Sequence, residues 1–274
     1  PMTMHQRPPA LICHHCGRRQ GLPETCPDCA HSSLIAVGSG TQRCEDVLSE
    51  RFPDLPVYRI DRDTTRSQRR LEEQLQAIGN GQPAILVGTQ MLAKGHHFPD
   101  VTLVAVINAD GGFVSPDFRA PERTAQLIIQ VAGRAGRAER PGTVIIQTYQ
   151  PENPLLTTLI EEGYRAFARR ELDTRVAAEL PPHTPMALLR AEAVNGEEAR
   201  HWLTVLARHL GPGLQVYGPA PALMPRVADR LRFQLMLTAA NRADLHRALL
   251  PLKSIDEAPK SVRWSLDVDP YDTY

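Results

Sequence analysis

Three polar side chains near the middle of the chain, Gln130, Arg134 and Arg137, have types and spacing that suit binding of a polyphosphate. They lie in the run QVAGRAGR, and the arginines follow the glutamine by four and seven residues, so all three project from one stripe of a helix. Gly133 and Gly136 leave the neighbouring helix surface bare for close approach. Guanidinium groups present a planar fork of donors to phosphate oxygens. We therefore predict a phosphate-binding surface on this helix.

The helix that must position these side chains is predicted over residues 122–138. Its apolar residues sit among good helix formers, Pro121 lies near its first turn, and the pair Pro141-Gly142 stops it. The alternative is a solvent-exposed, salt-bridged helix with incidental glycines. Two interior glycines argue against that alternative because together they cost a helix about 2 kcal/mol.

The cysteines near the N-terminus form a second group with a chemical signature. Four of the five cysteines make two Cys-x-x-Cys pairs, Cys13/Cys16 and Cys26/Cys29, separated by nine residues that include glycine and proline. Four thiolates at this spacing predict one tetrahedral Zn²⁺ ribbon. Disulfide bonds are the alternative, and the cytoplasmic setting expected for this chain disfavours them. Cys44 has no such companion and is predicted to be a small core residue.

A third group lies in the run GTQMLAKGHHFPD, which follows a predicted strand. Thr89 and Gln90 offer neutral hydrogen-bonding groups to a sugar-phosphate backbone, and Lys94 offers a cation. Gly88 and Gly95 allow a ligand to approach the backbone closely. The run therefore predicts a loop that contacts nucleic acid.

Length and composition limit the classes of protein. The 274 residues suffice for two ordinary domains, and 42% apolar with 23% charged residues is typical of a soluble globular protein. No apolar run is long enough to cross a bilayer and no signal peptide opens the chain, so we expect a cytoplasmic protein without a membrane partner. Lys plus Arg equals Asp plus Glu, so nucleic-acid binding must depend on local patches.

The pattern from about residue 33 to 175 alternates short apolar runs with helical stretches. The predicted strands are Leu34–Val37, Val57–Ile60, Ala84–Val87, Leu103–Asn108 and Thr143–Thr148. The predicted helices lie near 42–51, 66–78, 122–138 and 154–172. Strands separated by helices indicate a doubly wound parallel sheet, in which ligands bind beyond the carboxyl ends of the strands. Asp61 and the four residues after it form either a capping segment or part of that ligand surface.

A second domain is predicted to begin near Leu180. Its predicted order is a strand at 186–193, a helix at 196–210, strands at 214–218 and 231–238, a helix at 241–252 and a strand at 262–268. This order is the ferredoxin-like split βαβ arrangement. The domain contains no defensible catalytic group, so we interpret it as a binding domain. Arg226, Arg230 and Arg232, near a proline-rich loop, are either DNA contacts or plain solvated charges.

The run QVAGRAGR resembles the last signature motif of superfamily-two helicases. The runs GTQMLAKGHHFPDVTLV and VRWSLDVDP narrow the resemblance to the PriA family of replication-restart helicases, also called primosomal protein N′, from about residue 3 to about residue 270. The resemblance implies a RecA-like lobe in which Gln130, Arg134 and Arg137 face ATP. It implies that Arg137 is the arginine finger on the γ-phosphate and that Arg134 is a phosphate sensor.

The same resemblance implies roles for further residues. Thr89 and its neighbour Gln90 match positions that touch single-stranded DNA, while Lys94, Gly95 and Asp100 match positions that relay the nucleotide state. Arg242 matches a position that receives the C-terminal tail of single-strand-binding protein, although His246 stands where the family usually has glutamine.

The resemblance also bears on the metal and on the extent of the chain. Family members carry four cysteine pairs in two interleaved zinc sites, and the pairs here match the third and fourth, whose partners would precede residue 1. The chain begins with Pro1 and has no GxxxxGK[ST] run, so we expect it to be a C-terminal piece that lacks the phosphate-loop lobe. We therefore expect little ATP hydrolysis by the chain alone.

The sequence thus predicts an α/β chain with a partial zinc-binding region at 1–32, a RecA-like lobe at 33–178 and an α+β binding domain at 179–274. The predicted function is that of the C-terminal part of an ATP-dependent 3′-to-5′ DNA helicase acting at stalled or branched forks, with Zn²⁺, and with ATP and Mg²⁺ in the whole protein. Its predicted partners are single-stranded and forked DNA, single-strand-binding protein and other primosome proteins. The alternative is a non-catalytic zinc-ribbon adaptor that binds nucleic acid.

Overall fold

The computed structural model describes residues 3–6, 9–12, 19–26, 29–32, 40–61, 68–79, 81–89, 100–133, 135–137, 140–255 and 258–273. The chain divides into two compact units. We call residues 33–114 and 121–167 the parallel-strand unit, and residues 1–32, 115–120 and 168–274 the antiparallel-sheet unit.

The N-terminal segment, predicted as zinc-binding, contains a small antiparallel sheet. Its strands are β1 (Thr3–Gln6), β2 (Pro9–Ile12) and β3 (Arg19–Gln20), in the order β1-β2-β3. The pairing of Leu11 with Gln20 brings the chain on both sides of the first predicted cysteine pair together. Cys13 and Cys16 themselves lie outside the described residues.

The parallel-strand unit alternates strands and helices. Its described elements are α1 (Thr41–Arg51), β4 (Val57–Ile60), α2 (Gln68–Gly79), β5 (Ile85–Gly88), β6 (Leu103–Val106), α3 (Asp110–Phe113), α4 (Ala120–Ala132), β7 (Gly136–Arg137), β8 (Arg140–Pro141), β9 (Thr143–Ile146), α5 (Pro154–Glu161) and the start of α6 (Tyr164–Ala177). Strand β4 pairs with β5 and strand β6 pairs with β9, both in parallel. Helices lie in the connection of each pair, as parallel crossovers require. The predicted parallel strands separated by helices are therefore confirmed in the described part of this unit.

Two predictions for this unit have other outcomes. The strand predicted at Leu34–Val37 lies outside the described residues. The single helix predicted at 154–172 is wrong, because α5 ends at Glu161 and α6 starts at Tyr164. Gly163 between them has φ +85°, a left-handed conformation that ends helices and that glycine adopts without a Cβ penalty.

From Met186 onward, the antiparallel-sheet unit contains one four-stranded sheet with two α-helices. Its elements after α6 are β10 (Met186–Ala193), α7 (Gly196–Arg208), β11 (Leu214–Val227), β12 (Arg230–Ala239), α8 (Arg242–Leu249), a 3₁₀ turn (Leu250–Ser254) and β13 (Arg263–Val268). The strand order is β11-β12-β10-β13, and all the pairs are antiparallel. Along the chain these elements run strand, helix, strand, strand, helix, strand.

The core of this unit lies between the helices and one face of the sheet. Alternate residues of β10 and β12 pack with apolar residues of α7 and α8, and the buried members include Ala187, Leu189, Ala191, Leu235, Leu237, Leu203, Leu206 and Leu245. Both helices start at an asparagine whose side chain accepts a backbone N–H, Asn195 for α7 and Asn241 for α8. The alternation of side chains leaves the remaining residues of each strand on the opposite face.

Strand β11 is longer than predicted. The sequence predicted a strand at 214–218 followed by a proline-rich loop, but β11 continues to Val227. Its pairing with β12 shifts register between Tyr217 and Ala220 and again between Pro221 and Arg226. Proline removes ladder donors and is confined to edges and bulges, so β11 accommodates its prolines as a bulged strand at the sheet edge.

Candidate functional site

The carboxyl ends of the parallel strands carry polar side chains, as a ligand-binding edge requires. Ile60 of β4 lies opposite Gly88 of β5, so the next residues, Asp61 and Thr89, occupy neighbouring positions at the carboxyl ends of the two strands. Thr89 is exposed. A threonine hydroxyl on an open strand end is available to a sugar-phosphate backbone.

Asp61 is buried and holds the start of α1. The hydroxyl of Thr41 donates to Asp61 Oδ2 at 2.6 Å, and Arg59 Nε lies 3.1 Å from the same oxygen. Arg59 also reaches Glu45 of α1 at 2.9 Å. The carboxylate of Asp61 therefore fixes the end of β4 to the first turn of α1, and this supports the structural interpretation of that side chain.

A second polar cluster lies where β6 and β9 end. Asp110 accepts hydrogen bonds from the Thr148 hydroxyl at 2.7 Å and from the Tyr149 amide at 3.1 Å. The bond from Thr148, with help from the Tyr149 amide, holds the pKa of the Asp110 carboxyl below its ordinary value. Tyr149 is 88% exposed beside it. The sequence analysis missed this cluster, although an aspartate shortly after a buried strand is a recognisable signal.

The predicted motif that follows β5 is described only at its two ends. Thr89 and Asp100 are both exposed. Gln90, Lys94 and Gly95 lie outside the described residues. Their roles in contacting DNA and relaying the nucleotide state therefore stay predictions.

The predicted helical stripe of Gln130, Arg134 and Arg137 is wrong. Helix α4 ends at Ala132, and the Gly133 amide closes its last turn on the Ile129 carbonyl at 2.9 Å. Arg137 lies instead in β7, a two-residue strand paired with β8. The physical reason is the low helix propensity of glycine. Two glycines inside a helix cost more free energy than their exposed neighbours recover by packing. Gln130 is exposed in the last turn of α4, and Arg134 lies outside the described residues.

The predicted DNA-contacting arginines of the antiparallel-sheet unit have different surroundings. Arg226 pairs with Asp229 at 3.0 Å, and its side chain is 55% exposed. Arg230 is only 18% exposed and donates to the carbonyl oxygens of Glu192 and Ser261 at 2.9 and 2.7 Å. Arg226 is therefore accessible, whereas the donors of Arg230 are largely occupied by the fold.

Arg242, the predicted contact for an acidic tail, lies at the first turn of α8. Its guanidinium pairs with Asp269 at 3.0 Å, and its side chain is 66% exposed. Asp269 follows β13 and has φ +55°. An exposed pair of this kind is weak, about 0 to 1 kcal/mol, so a competing carboxylate can displace Asp269.

The described cysteine pair fits half of a metal site. Cys26 and Cys29 are not joined in disulfide bonds, and the Ala30 amide donates a hydrogen bond to the Cys26 carbonyl at 2.9 Å, which closes a turn. Ala30 has φ +57°, which turns the chain sharply after the second cysteine. Within the described ranges, no group of three or more potential ligands is assembled. Two thiols on a tight turn suit Zn²⁺, and Cys13 and Cys16 lie beyond what the structure describes.

Three family models match successive parts of the chain. Residues 1–20 match the PriA DNA helicase Cys-rich region domain, residues 28–139 match the helicase conserved C-terminal domain, and residues 176–271 match the primosomal protein N C-terminal domain. Curated relatives match along almost the whole length. A protein of Haemophilus influenzae called replication restart protein PriA is 47% identical over 99% of this chain. The chain belongs to the PriA family.

Other members of the PriA family are similar over the same extent. The replication restart protein PriA of Bacillus subtilis is 38% identical over 98% of the chain, and that of Synechocystis is 39% identical over 96%. The chain spans 38%, 34% and 32% of the lengths of these three relatives. The similarity therefore covers nearly all of this chain but only about a third of each PriA relative.

The predicted site residues fall within different family matches. Thr89, Gln130 and Arg137 fall within the helicase match, whereas Arg226 and Arg242 fall within the C-terminal match. The match to the Cys-rich region ends at residue 20, before the second cysteine pair. In the described part of the chain, no helix combines the length and the apolar character needed to cross a membrane.

Proposed function

We propose that this chain supplies the C-terminal helicase lobe and the following domain of an ATP-dependent 3′-to-5′ DNA helicase, which recognises stalled or branched replication forks and initiates primosome assembly. The observation that carries the proposal is the match of residues 28–139 to the helicase C-terminal model, in a chain whose relatives are named replication restart proteins. Polar side chains at the carboxyl ends of parallel strand pairs support it.

In this proposal, residues 1–32 are a zinc-binding region, residues 33–178 a RecA-like lobe, and residues 179–274 a domain for DNA and partner proteins. Parallel strands with intervening helices support the RecA-like assignment. The strand–helix–strand–strand–helix–strand order and the sheet order β11-β12-β10-β13 support a ferredoxin-like arrangement for the last domain.

The nucleotide is ATP with Mg²⁺, held chiefly by a lobe that carries a phosphate loop. Arg137 acts as the finger that stabilises charge on the transferring phosphoryl group, Arg134 senses the phosphate, and Gln130 lies with them. A finger of this kind contributes roughly three to five orders of magnitude to hydrolysis. Arg137 lies in β7, beyond the end of α4, and falls within the match to the helicase C-terminal model, which supports this role.

The loop after β5 couples DNA to the nucleotide. Thr89 and Gln90 contact single-stranded DNA, and Lys94, Gly95 and Asp100 relay the nucleotide state. The exposure of Thr89 and Asp100 at the two ends of the loop supports an open contact surface.

The C-terminal domain engages forked DNA and partner proteins. Arg226 and Arg230 contribute positive charge to DNA binding, and Arg242 receives the acidic tail of single-strand-binding protein. The weak, exposed ion pair of Arg242 with Asp269 supports the role of Arg242 in receiving this tail, because the Asp269 carboxylate binds the guanidinium as a tail carboxylate would. Other primosome proteins are further partners of the whole helicase.

Zinc has a structural role in the proposal, with Cys13, Cys16, Cys26 and Cys29 as ligands. Bound Zn²⁺ would contribute folding free energy to this region. The turn that carries Cys26 and Cys29 supports the assignment of the second pair.

The test is DNA-stimulated ATP hydrolysis by a protein that joins this chain to a lobe with a phosphate loop. The joined protein should hydrolyse ATP, and the chain alone should not do so at a useful rate. Arg137→Ala should lower turnover by about three orders of magnitude or more. Arg165→Ala is the matched control, because Arg165 is an exposed arginine of α6 and its loss changes net charge equally. Full turnover in the Arg137→Ala protein would refute the finger role, whereas no hydrolysis by the joined protein would favour the non-catalytic adaptor.

A further inference from the structure

The guanidinium of Arg242 already has an anionic partner within its own unit. Asp269, which follows β13, places its carboxylate 3.0 Å from Arg242 at the first turn of α8. The two side chains are 66% and 44% exposed, so dissolved ligands reach both. Among the residues that the structure describes, each is the other's single ionic partner. A ligand carboxylate that binds Arg242 must therefore compete with Asp269.

The main chain holds Asp269 in place without help from its carboxylate. Its amide donates to the Met186 carbonyl at 2.9 Å. Arg190 holds the chain on both sides of it, because it pairs with Asp267 at 3.0 Å and donates to the Asp272 carbonyl at 2.9 Å. The competing carboxylate is therefore tethered beside its guanidinium, and its local concentration does not depend on the concentration of the protein.

The backbone conformation at Asp269 allows its charge to be removed alone. Its φ of +55° lies in the left-handed region, which aspartate and asparagine adopt more readily than most other residues with a Cβ. Asparagine at this position keeps the turn and the hydrogen bond of the amide while losing the charge. The effect of the carboxylate can thus be measured separately from that of the turn.

The strength of the exposed pair sets the size of the competition. An ion pair with this exposure has an equilibrium constant of about 1 to 5 between its paired and open forms. A ligand that needs the open form binds with its intrinsic affinity multiplied by the open fraction. The Asp269 carboxylate should therefore weaken binding of such a ligand about 2- to 6-fold.

We propose that Asp269 is an internal competitor that lowers the affinity of Arg242 for an acidic peptide. The proposal rests on the proposed role of Arg242 in receiving the acidic tail of single-strand-binding protein, and it adds regulation of that same site. Binding exchanges one carboxylate for another on the guanidinium, and the displaced Asp269 carboxylate is released to solvent. A single ligand carboxylate gains little by this exchange, so occupancy of the site requires a ligand with several carboxylates or further contacts.

The experiment measures binding of a fluorescein-labelled peptide, with the sequence of the C-terminal tail of single-strand-binding protein, to the 274-residue chain by fluorescence anisotropy. Asp269→Asn should tighten binding about 2- to 6-fold. Arg242→Ala should weaken binding, and adding Asp269→Asn to Arg242→Ala should then cause no tightening. The gain from Asp269→Asn should also shrink as salt rises from about 50 to 500 mM, because screening opens the pair in the unaltered chain.

Asp229→Asn is the matched control for charge and backbone conformation. Asp229 also has a positive φ, +64°, and it also pairs with an exposed arginine, Arg226, at 3.0 Å. Its replacement changes net charge equally and should leave the affinity for the peptide unchanged. Arg247→Ala removes a guanidinium from the same helix as Arg242 and should have a much smaller effect than Arg242→Ala. Urea unfolding followed by tryptophan fluorescence checks that every variant is folded.

Three results would overturn the proposal. They are unchanged or weaker binding by folded Asp269→Asn, equal tightening by Asp229→Asn, and tightening by Asp269→Asn that persists when Arg242 is replaced by alanine. If Arg242→Ala weakens binding but Asp269→Asn does not tighten it, the competitor is refuted and the proposed tail site is retained.

Other results would refute the tail site itself, and the competitor with it. These are equal weakening by Arg242→Ala and Arg247→Ala, no weakening by Arg242→Ala, or no binding of the peptide to any variant. The helicase proposal is judged separately, by ATP hydrolysis with Arg137→Ala.

Discussion

Glu171 and Arg175, one turn apart on α6, form an ion pair at 3.0 Å in which each side chain is only 8% exposed. The Arg175 guanidinium also donates to the carbonyl of Phe118 at 3.4 Å and lies 5.3 Å from the centre of its ring. Arg175 thereby ties α6 to residues 115–120, which belong to the same compact unit. A buried pair of this kind depends on both partners being present.

Arg175→Ala is expected to destabilise the antiparallel-sheet unit by about 3 to 5 kcal/mol, because it removes one partner of a buried ion pair. The measurement is urea unfolding followed by tryptophan fluorescence. Both tryptophans of the chain, Trp202 and Trp264, lie in this unit, so the signal reports its unfolding alone.

The control for this prediction is Arg200→Ala, which breaks the exposed pair between Arg200 and Glu197. That pair is solvent-screened, so its loss should have little effect on the unfolding midpoint. The double variant Glu171→Leu with Arg175→Met should recover most of the stability that Arg175→Ala loses. Equal midpoints for Arg175→Ala and the unaltered chain would contradict the structural role of the pair.

The Asp110 carboxyl is expected to make the parallel-strand unit sensitive to acid. Its folded pKa is lowered by the Thr148 hydrogen bond, so it contributes stability above its unfolded pKa and loses that contribution as pH falls through the folded pKa. Thr148→Val should raise the pKa toward its ordinary value. Carbon-13 NMR titration of the side-chain carboxyls measures this shift, with Asp110→Asn used to assign the signal.

The matching stability experiment compares thermal midpoints across pH. Thr148→Val and Asp110→Asn should lower the midpoint at neutral pH, and both differences should shrink in acid. Asp46→Asn removes an equal charge from an exposed position of α1 and should show no such pH dependence. An unshifted Asp110 titration in Thr148→Val would show that the hydroxyl does not hold the carboxylate.

The turn between β11 and β12 is expected to be stabilised by a glycine. Ala228 and Asp229 both have positive φ, +47° and +64°, the geometry of a two-residue hairpin turn. An alanine in this left-handed region costs roughly 1 to 2 kcal/mol, part of which Ala228→Gly regains after its entropic cost in the unfolded chain. We expect a gain of about 0.5 to 1 kcal/mol in urea unfolding followed by tryptophan fluorescence.

Ala243→Gly provides the comparison, since Ala243 lies in the first turn of α8 with helical neighbours. Glycine there should destabilise by up to about 1 kcal/mol, the opposite sign. Destabilisation by Ala228→Gly would mean that the turn imposes no strain on the alanine.

The sequence was informative wherever one local pattern decided the structure. The runs Val57–Ile60 and Met186–Ala193 form strands with the predicted bounds. A short, mostly apolar run that is buried has few possible structures other than a strand. The second part of β11, after residue 218, escaped prediction because its prolines indicated a loop, and pairing with β12 keeps it extended. The meeting of Arg232, Glu192 and Arg263 escaped prediction because these residues are distant in sequence and come together only through strand register.

The end of α4 shows a case in which two local signals conflict. Leu127, Ile128 and Val131 favour a helix, and extending that periodicity through Gly133 predicted a stripe that the chain does not form. Helix stability depends on the summed helix propensities of each turn and on the apolar surface that the turn buries. Beyond Ala132 little apolar surface remains to offset the unfavourable propensity of the glycines. Arg137 is thus set apart from α4, and its position depends on where the helix stops.

Replacing Gly133 and Gly136 together by alanine should extend α4 and convert the β7–β8 hairpin into helix. Alanine removes roughly 1 kcal/mol of unfavourable propensity at each position, although a Cβ on Gly133 would lie 3.3 Å from the Ile129 carbonyl and requires a small adjustment. Helicity by circular dichroism should rise, while ATP hydrolysis by the protein joined to a phosphate-loop lobe should fall, although Arg134 and Arg137 are unchanged. Gly79→Ala, at the end of α2 with open space around its Cβ, should leave hydrolysis intact. Full hydrolysis with a lengthened helix would mean that the arginines act equally well from the helical stripe, and that the position of the helix end is irrelevant to them.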